Sequence, residues 1–133
     1  MLYTDLKWFK LDGASPVALH TLCTSVPREL PTEYLQFLAY SNGGEGELPE
    51  PYFSFCLDSA EVASAPSQLS LYERLCPGWF VFGGNGGLEL FALDFTGVKP
   101  WPVLAFDGVV PFGTARTIAP NFKAFLNCLQ SNR

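Results

Sequence analysis

The clearest pattern in the sequence is an apolar stripe at helical spacing in its first third. Positions three and four apart share one face of a helix, and five such positions are Leu30, Tyr34, Phe37, Leu38 and Ser41. Pro31 begins this helix, and Glu33 lies in its first turn, where the helix dipole favours an anion. The triplet Asn-Gly-Gly at 42–44 ends it, because these residues adopt the left-handed conformation readily.

Three further segments have helical patterns. Ser15 and Pro16 predict a helix over residues 16–23. Asp58 and Glu61 form a capping-box-like start to a second helical segment. Pro66 interrupts this segment and begins a further helix, which Pro77 and Gly78 end. A closing helix opens at residues 119–121. The positions predicted to be buried along these helices are Leu19, Leu22, Cys23, Leu69, Tyr72, Leu75, Phe122, Phe125, Leu126 and Leu129.

Strand patterns fill most of the second half of the chain. Residues 52–57 alternate, with Phe53, Phe55 and Leu57 on one side. Segments 79–82 and 88–95 flank a turn at 83–87 that contains Asn-Gly, which predicts an antiparallel hairpin. Both faces of 88–95 are mostly apolar, as in a central strand, and 103–106 is predicted as the next strand. Residues 3–11 are either an extended lead-in or a short helix. This order of elements predicts an α+β fold.

Composition narrows the class of protein. The 133 residues suit one domain, and with 48% hydrophobic and only 16% charged residues the chain is not disordered. Twelve phenylalanines predict a core built around aromatic rings. A net charge of −5 argues against binding to nucleic acid, which needs clustered cations. Because the first residues lack an apolar signal region and apolar runs are only four residues long, we expect a cytoplasmic protein that does not cross a membrane.

The cysteines are widely spread and form no metal-binding spacing. No two of Cys23, Cys56, Cys76 and Cys128 make a C-x-x-C pair, and the chain has a single histidine. We therefore predict no metal site. Each cysteine has apolar neighbours, which indicates a small buried side chain, and without a secretory context disulfides are not expected.

Candidate catalytic groups are few. The glycine-rich segment 83–87 lacks the G-x-G-x-x-G spacing and a following Lys-Ser or Lys-Thr, so a structural turn is favoured over a phosphate loop. His20 is either a general base or, as its short helix favours, a surface or packing residue. Asp94 and Asp107 near strand ends are either a carboxylate pair for glycoside chemistry or, more typically, turn caps. The sequence thus predicts no catalytic set and no cofactor.

Candidate partner-binding residues are mostly acidic. Glu45, Glu47 and Glu50, with prolines at 49 and 51, are predicted to form an acidic loop that is either a solvated connector or a recognition loop for a basic partner. Trp101, between two prolines, is either core or an exposed interface anchor. Asp107 is a further acidic candidate. The predicted contact residues are therefore Glu45, Glu47, Glu50, Trp101 and Asp107.

Three segments, in order, resemble the signatures of the SUKH superfamily, which is named partly for a yeast cell-wall synthesis regulator. The first is L-P-x-x-Y-x-x-F-L at 30–38 leading into N-G-G at 42–44. The second is F-G-G-N-G-G-L-E-L-F-A-L-D at 82–94, and the third is I-A-P-N-F-x-x-F-L at 118–126. The resemblance extends over about residues 16–130. The segment Y-F-S-F at 52–55 stands where the family usually has a tryptophan-containing segment.

The resemblance implies a single α+β domain over residues 1–133, with a largely antiparallel sheet flanked by helices and no enzymatic activity. Bacterial single-domain members are similar to immunity proteins, which bind and neutralise a cognate toxin, often a nuclease or deaminase. The family's signature residues are mostly scaffold, so its partner-binding residues are not transferred to this chain. Two other hypotheses remain: a general interaction scaffold or regulator, and a small hydrolase that uses Asp94, Asp107 or His20.

Overall fold

Seven strands form one antiparallel sheet in which each strand pairs with its neighbours in chain order. The computed structural model describes residues 3–131. The strands are β1 (Trp8–Lys10), β2 (Gly44–Glu47), β3 (Ser54–Leu57), β4 (Trp79–Gly84), β5 (Glu89–Asp94), β6 (Val103–Asp107) and β7 (Arg116–Ala119). Strands β1 and β7 are therefore the two edges of the sheet. This arrangement confirms the predicted α+β fold with a largely antiparallel sheet.

Within residues 3–131, five α-helices lie between strands and a sixth follows β7. They are α1 (Pro16–Ser25), α2 (Thr32–Tyr40), α3 (Ala60–Ala63), α4 (Pro66–Leu75), α5 (Pro111–Thr114) and α6 (Phe122–Leu126). Ser15 caps α1 and Asn121 caps α6, each by accepting a hydrogen bond from a backbone N–H of the first turn. Within residues 3–131, none of the helices has the length and apolar character needed to cross a membrane.

One face of the sheet, which we call the packed face, carries the main hydrophobic core. Helices α1, α2 and α6 contribute Leu22, Tyr34 and Phe125 to it, and all three are buried. The ring centroid of Phe125 lies 5.0 Å from that of Phe55 in β3 and 5.6 Å from that of Phe82 in β4. Edge-to-face ring contacts of this kind add to the stabilisation from buried apolar area, so the abundant phenylalanines form the predicted aromatic core.

The opposite face of the sheet is covered over only part of its width. Helix α4 packs against β4, and α5 packs against β6. Between them a smaller cluster buries Cys76, Val81, Ala92 and Phe106. On the β1–β3 side of this face the Phe9 side chain is 67% exposed. The sheet therefore has one packed face and one face whose first three strands are open to solvent.

Several local predictions are confirmed. The stripe of α2 is buried from Leu30 to Ser41, and β4 and β5 form the predicted antiparallel hairpin. Strand β5 buries Phe91 on the packed face and Ala92 on the other, as expected of a central strand. The segment before residue 11 is a short 3-10 helix followed by the extended strand β1. The helical interpretation therefore applies to its first part and the extended one to its second.

Three local predictions are wrong. Phe53 has a φ of 65° and is exposed, because Leu48 donates its N–H to the Phe53 carbonyl oxygen and closes a turn before β3 begins. Ser59, and not Asp58, caps α3, since the Asp58 N–H still donates to Phe82 in the sheet. Leu75 is exposed at the end of α4.

Candidate functional site

The two candidate catalytic aspartates are far apart. Asp107 pairs with Glu89 at one end of β5, and Asp94 lies at its other end, roughly 16 Å away along the strand. Asp94 Oδ1 accepts the Thr96 N–H at 3.0 Å, and Asp107 Oδ1 accepts the Val109 N–H at 2.7 Å. Both side chains therefore cap turns, and the alternative of a paired-carboxylate site is wrong.

The other chemical candidates are equally dispersed. Segment 83–87 is a hairpin turn in which Asn85 Oδ1 accepts the N–H groups of Gly87 and Glu89, so the structural interpretation is confirmed. His20 is exposed on α1. Among residues 3–131, no three of the His, Cys, Asp and Glu side chains are grouped as a metal site would require.

The cysteine environments differ from the prediction. Only Cys76 is buried; Cys23 and Cys128 are exposed, and Cys56 is half-buried. The prediction of buried cysteines is wrong at these three positions because each faces away from the core. Burial raises the pKa of the Cys76 thiol to about 11, so this thiol is a poor nucleophile at neutral pH.

Trp101 belongs to the core. Its side chain is 4% exposed, its Nε1 donates to the Glu29 carbonyl oxygen at 2.8 Å, and its ring lies 5.2 Å from that of Phe95. The alternative of an exposed anchor is therefore wrong, because the indole is buried against Phe95 and bonded to the segment that links α1 and α2.

The acidic segment is partly a strand, which corrects the predicted loop. Glu45 and Glu47 lie in β2, and only Glu50 lies in the turn that follows. Their glycine neighbours explain this arrangement: a Cβ on Gly46 would lie 2.5 Å from the Trp8 indole, and a Cβ on Gly44 would lie 2.8 Å from its Nε1. The indole crosses β2 on the packed face, so alternate residues there must be glycine and the glutamates point to the other side.

The two glutamates belong to a surface that we call the open face, formed by Phe9, Glu45, Glu47, Ser54 and Cys56. Phe9 is the cross-strand partner of Glu45 in β1, and Cys56 is its partner in β3. Directly opposite residues point to the same side of a sheet. Cys56 Sγ accordingly lies 3.8 Å from Glu45 Oε2, and burial, together with the Glu45 carboxylate, raises the thiol pKa.

The charge of the open face is not neutralised within the described part of the chain. Within residues 3–131 the ion pairs are Lys99–Glu29 and Arg116–Glu89. Neither of them involves Glu45 or Glu47. The α carbons of Glu45 and Glu47 stand roughly 7 Å apart along β2, and both side chains are on the same side of the strand. Asp107 lies four strands away, roughly 19 Å across the sheet. The structure thus groups Glu45 with Glu47 and separates both from Asp107.

Sequence reasoning missed Phe9 and Cys56 as members of this surface. The signal was present in the alternation G-E-G-E at 44–47, which is period two and therefore typical of a strand. The pairing of this strand with W-F-K at 8–10 is a long-range contact that local patterns do not contain.

Comparison with known proteins agrees with the fold. We find no match among curated proteins. The family model described as SMI1 / KNR4 family (SUKH-1) matches residues 13–128, which is most of the chain and includes the sheet from β2 to β7. The chain therefore belongs to the SMI1/KNR4 family of SUKH-1 domains.

Proposed function

We propose that this chain is a non-catalytic immunity protein, which binds a cognate bacterial toxin of the nuclease or deaminase type and neutralises it by stoichiometric contact. The SUKH family includes immunity proteins that act as partners of toxins. The proposal also accounts for the dispersal of the candidate catalytic groups, whose side chains cap turns or lie alone on the surface.

The observation that supports it best is the open face. It combines an exposed aromatic ring, Phe9, with two carboxylates, Glu45 and Glu47, that form no ion pair with any residue of the described range 3–131. Aromatic residues are enriched among the side chains that dominate binding energy at interfaces. Toxins that act on nucleic acids carry cationic surfaces, and an opposed acidic surface speeds encounter and fixes orientation.

The backbone of the open face is supported by neighbouring residues. Cys56 and Glu45 contact each other on neighbouring strands, and the Trp8 indole supports β2 from behind. The backbone that carries the two carboxylates is therefore held by the sheet, so a partner meets a preformed surface. Glu50 is exposed in the turn after β2 and adds a third carboxylate to this part of the chain.

The test is a titration, with the purified chain, of a candidate toxin domain taken from a gene adjacent to the one that encodes this chain. We expect inhibition to saturate at one equivalent, and we expect Glu45→Lys with Glu47→Lys to weaken binding about a hundredfold. Asp12→Lys with Glu33→Lys makes the same change in net charge elsewhere and is the matched control.

Three outcomes contradict the proposal. Undiminished inhibition by the open-face variant removes that face as the contact. A partner that is a housekeeping assembly, with no toxin bound, indicates the scaffold alternative. Substrate turnover by the isolated chain that a single side-chain replacement abolishes contradicts the non-catalytic assignment.

A further inference from the structure

A gap in the sheet leaves half of β4 without a strand on one side. Strand β3 pairs with β4 only through Cys56 opposite Gly84 and Leu57 opposite Gly83. The chain then leaves the sheet, with a last hydrogen bond from the Asp58 N–H to the Phe82 carbonyl oxygen at 3.0 Å. Across the described residues 3–131, no strand pairs with 79–81 on that side. An edge of this kind is where an added strand forms hydrogen bonds.

A cleft of about 790 Å³ lies beside this edge, and we call it the edge cleft. Helix α4 forms one wall, and residues 25–28, the last residue of α1 and the start of the segment that links it to α2, form the other. Such a volume is typical of clefts that bind ligands. The lining is largely apolar and includes Val26, Leu69, Tyr72, Trp79, Phe80 and Val81.

Each wall of the edge cleft carries one arginine. Arg28 stands on the linking segment, with its guanidinium 5.5 Å from the Trp101 ring centroid, and Arg74 stands in the last turn of α4. Neither arginine takes part in an ion pair within the described part of the chain. Glu73 is the carboxylate that lines the same cleft. In a chain of net charge −5, two arginines that line one apolar cleft favour an anionic occupant.

We propose that the edge cleft binds an extended, acidic peptide segment of a protein partner, which adds to the free edge of β4. The free edge favours a peptide, because an extended peptide backbone supplies partners for the unpaired N–H and C=O groups of the edge strand. The arginines select acidic side chains, and the apolar lining selects the residues beside them. This site is separate from the open face and does not depend on the toxin-binding proposal.

The geometry of an added strand matches the two walls. Adjacent side chains of a strand point to opposite sides, which here means toward α4 and toward residues 25–28. Two neighbouring acidic residues would therefore reach Arg74 and Arg28 respectively. A single acidic residue, or two acids separated by one residue, would engage only one wall.

The probe is a synthetic six-residue peptide, acetylated and amidated, in which adjacent glutamate and aspartate are flanked on each side by valine and threonine. Titration into the ¹⁵N-labelled full chain, followed by NMR, is expected to shift the backbone amides of residues 78–81. A matched peptide with two lysines in place of the acids is expected to bind at least about tenfold more weakly.

Two pairs of variants locate the site. Arg28→Gln with Arg74→Gln is expected to weaken binding of the acidic peptide about tenfold, whereas Lys7→Gln with Lys123→Gln, outside the cleft, leaves it unchanged. Ser70→Trp fills the cleft from α4 and is expected to abolish the shifts, whereas Ser67→Trp, on α4 but outside the lining, is not.

The proposal is overturned if the acidic peptide leaves the amides of 78–81 unmoved, if the lysine peptide binds equally well, or if Ser70→Trp binds like the native chain. Far-ultraviolet circular dichroism of each variant confirms that a loss of binding is not a loss of fold. Because the readout uses no toxin, its failure leaves the open-face proposal standing.

Discussion

The two faces of strands β1–β3 differ in almost every physical respect although they share one backbone. On the packed face, Trp8 and Phe55 lie in the aromatic core, with ring centroids 5.7 Å apart. On the open face, Phe9 is exposed, its cross-strand partner is Glu45, and Glu45 in turn lies opposite Cys56. One face therefore supplies the stability of these strands, and the other is free to contact a partner.

The comparison shows how a small domain separates stability from binding. Alternate residues of a strand point to opposite sides, so a substitution at Glu45 leaves the core contacts of its neighbours intact. A surface of this kind tolerates changes of sequence, and so of partner, at little cost in folding free energy. The predictions below compare the packed positions with their open counterparts.

The largest difference is expected between two phenylalanines on opposite faces of the sheet, Phe55 in β3 and Phe9 in β1. Phe55→Ala removes a fully buried ring that contacts Phe82, Phe91 and Phe125, and should lower the free energy of unfolding by about 3–5 kcal/mol. Phe9→Ala should lower it by about 0.5 kcal/mol or less. Urea denaturation of both variants measures the difference, and similar losses would mean that Phe9 is not solvent-exposed.

A smaller effect is expected at the junction of β3 and β4. A Cβ on Gly83 would press against the Cys56 carbonyl oxygen and lie 2.8 Å from Phe55 Cε1, whereas a Cβ on Gly97 would meet no atom within 4 Å. Gly83→Ala should therefore cost about 1–3 kcal/mol through overpacking. Gly97→Ala, as the matched control, should leave the thermal midpoint nearly unchanged. An equally stable Gly83→Ala variant would contradict the close approach of the two strands.

The smallest effect is expected at Asp58, where the chain passes from β3 to the helices. Burial raises the pKa of this carboxyl above its ordinary value of 3.8, and the hydrogen bond from Gln68 Nε2 at 3.2 Å only partly offsets the rise. The folded state therefore holds this proton more tightly than the unfolded state, and its contribution to stability is lost as pH rises from 3.8 through the raised pKa.

The Asp58→Asn variant tests this pH dependence, because an amide stays neutral. The free energy of unfolding of the variant, relative to the native chain, should rise with pH across that window and then remain constant. Asp12→Asn, on the surface, is the control. Urea titrations at pH 4 and pH 7 give the free energy of unfolding of each protein at both pH values. If the difference between Asp58→Asn and the native chain is the same at both, the Asp58 carboxyl is not buried.

The segments predicted best are those with local signals. The buried stripe of α2, the β4–β5 hairpin and the aromatic stripe of α6 follow from spacing and turn residues within about a dozen positions. The predicted turn-capping roles of Asp94 and Asp107 also follow from their strand-end positions. In each case the residues that decide the structure are neighbours in sequence.

The misassigned segments depend on distant partners. Glu45 and Glu47 were expected in a loop, yet they form a strand because β1, more than thirty residues earlier, pairs with β2. Trp8 then requires Gly44 and Gly46 on the packed face. The exposure of Cys23 and Cys128 likewise depends on how α1, and the turn after α6, meet the core, and nearest neighbours in the chain do not decide that.

The sequence by itself determined the α+β class, the main helices, the central hairpin and the family, because these rest on periodicity and local motifs that need no distant contact. Only the tertiary structure decided which face of β1–β3 is open, that Trp101 is buried, and that the sheet leaves an edge cleft beside β4. Those features depend on which strands pair and which helices pack on them. These contacts join residues far apart in the chain, so no local segment of sequence determines them.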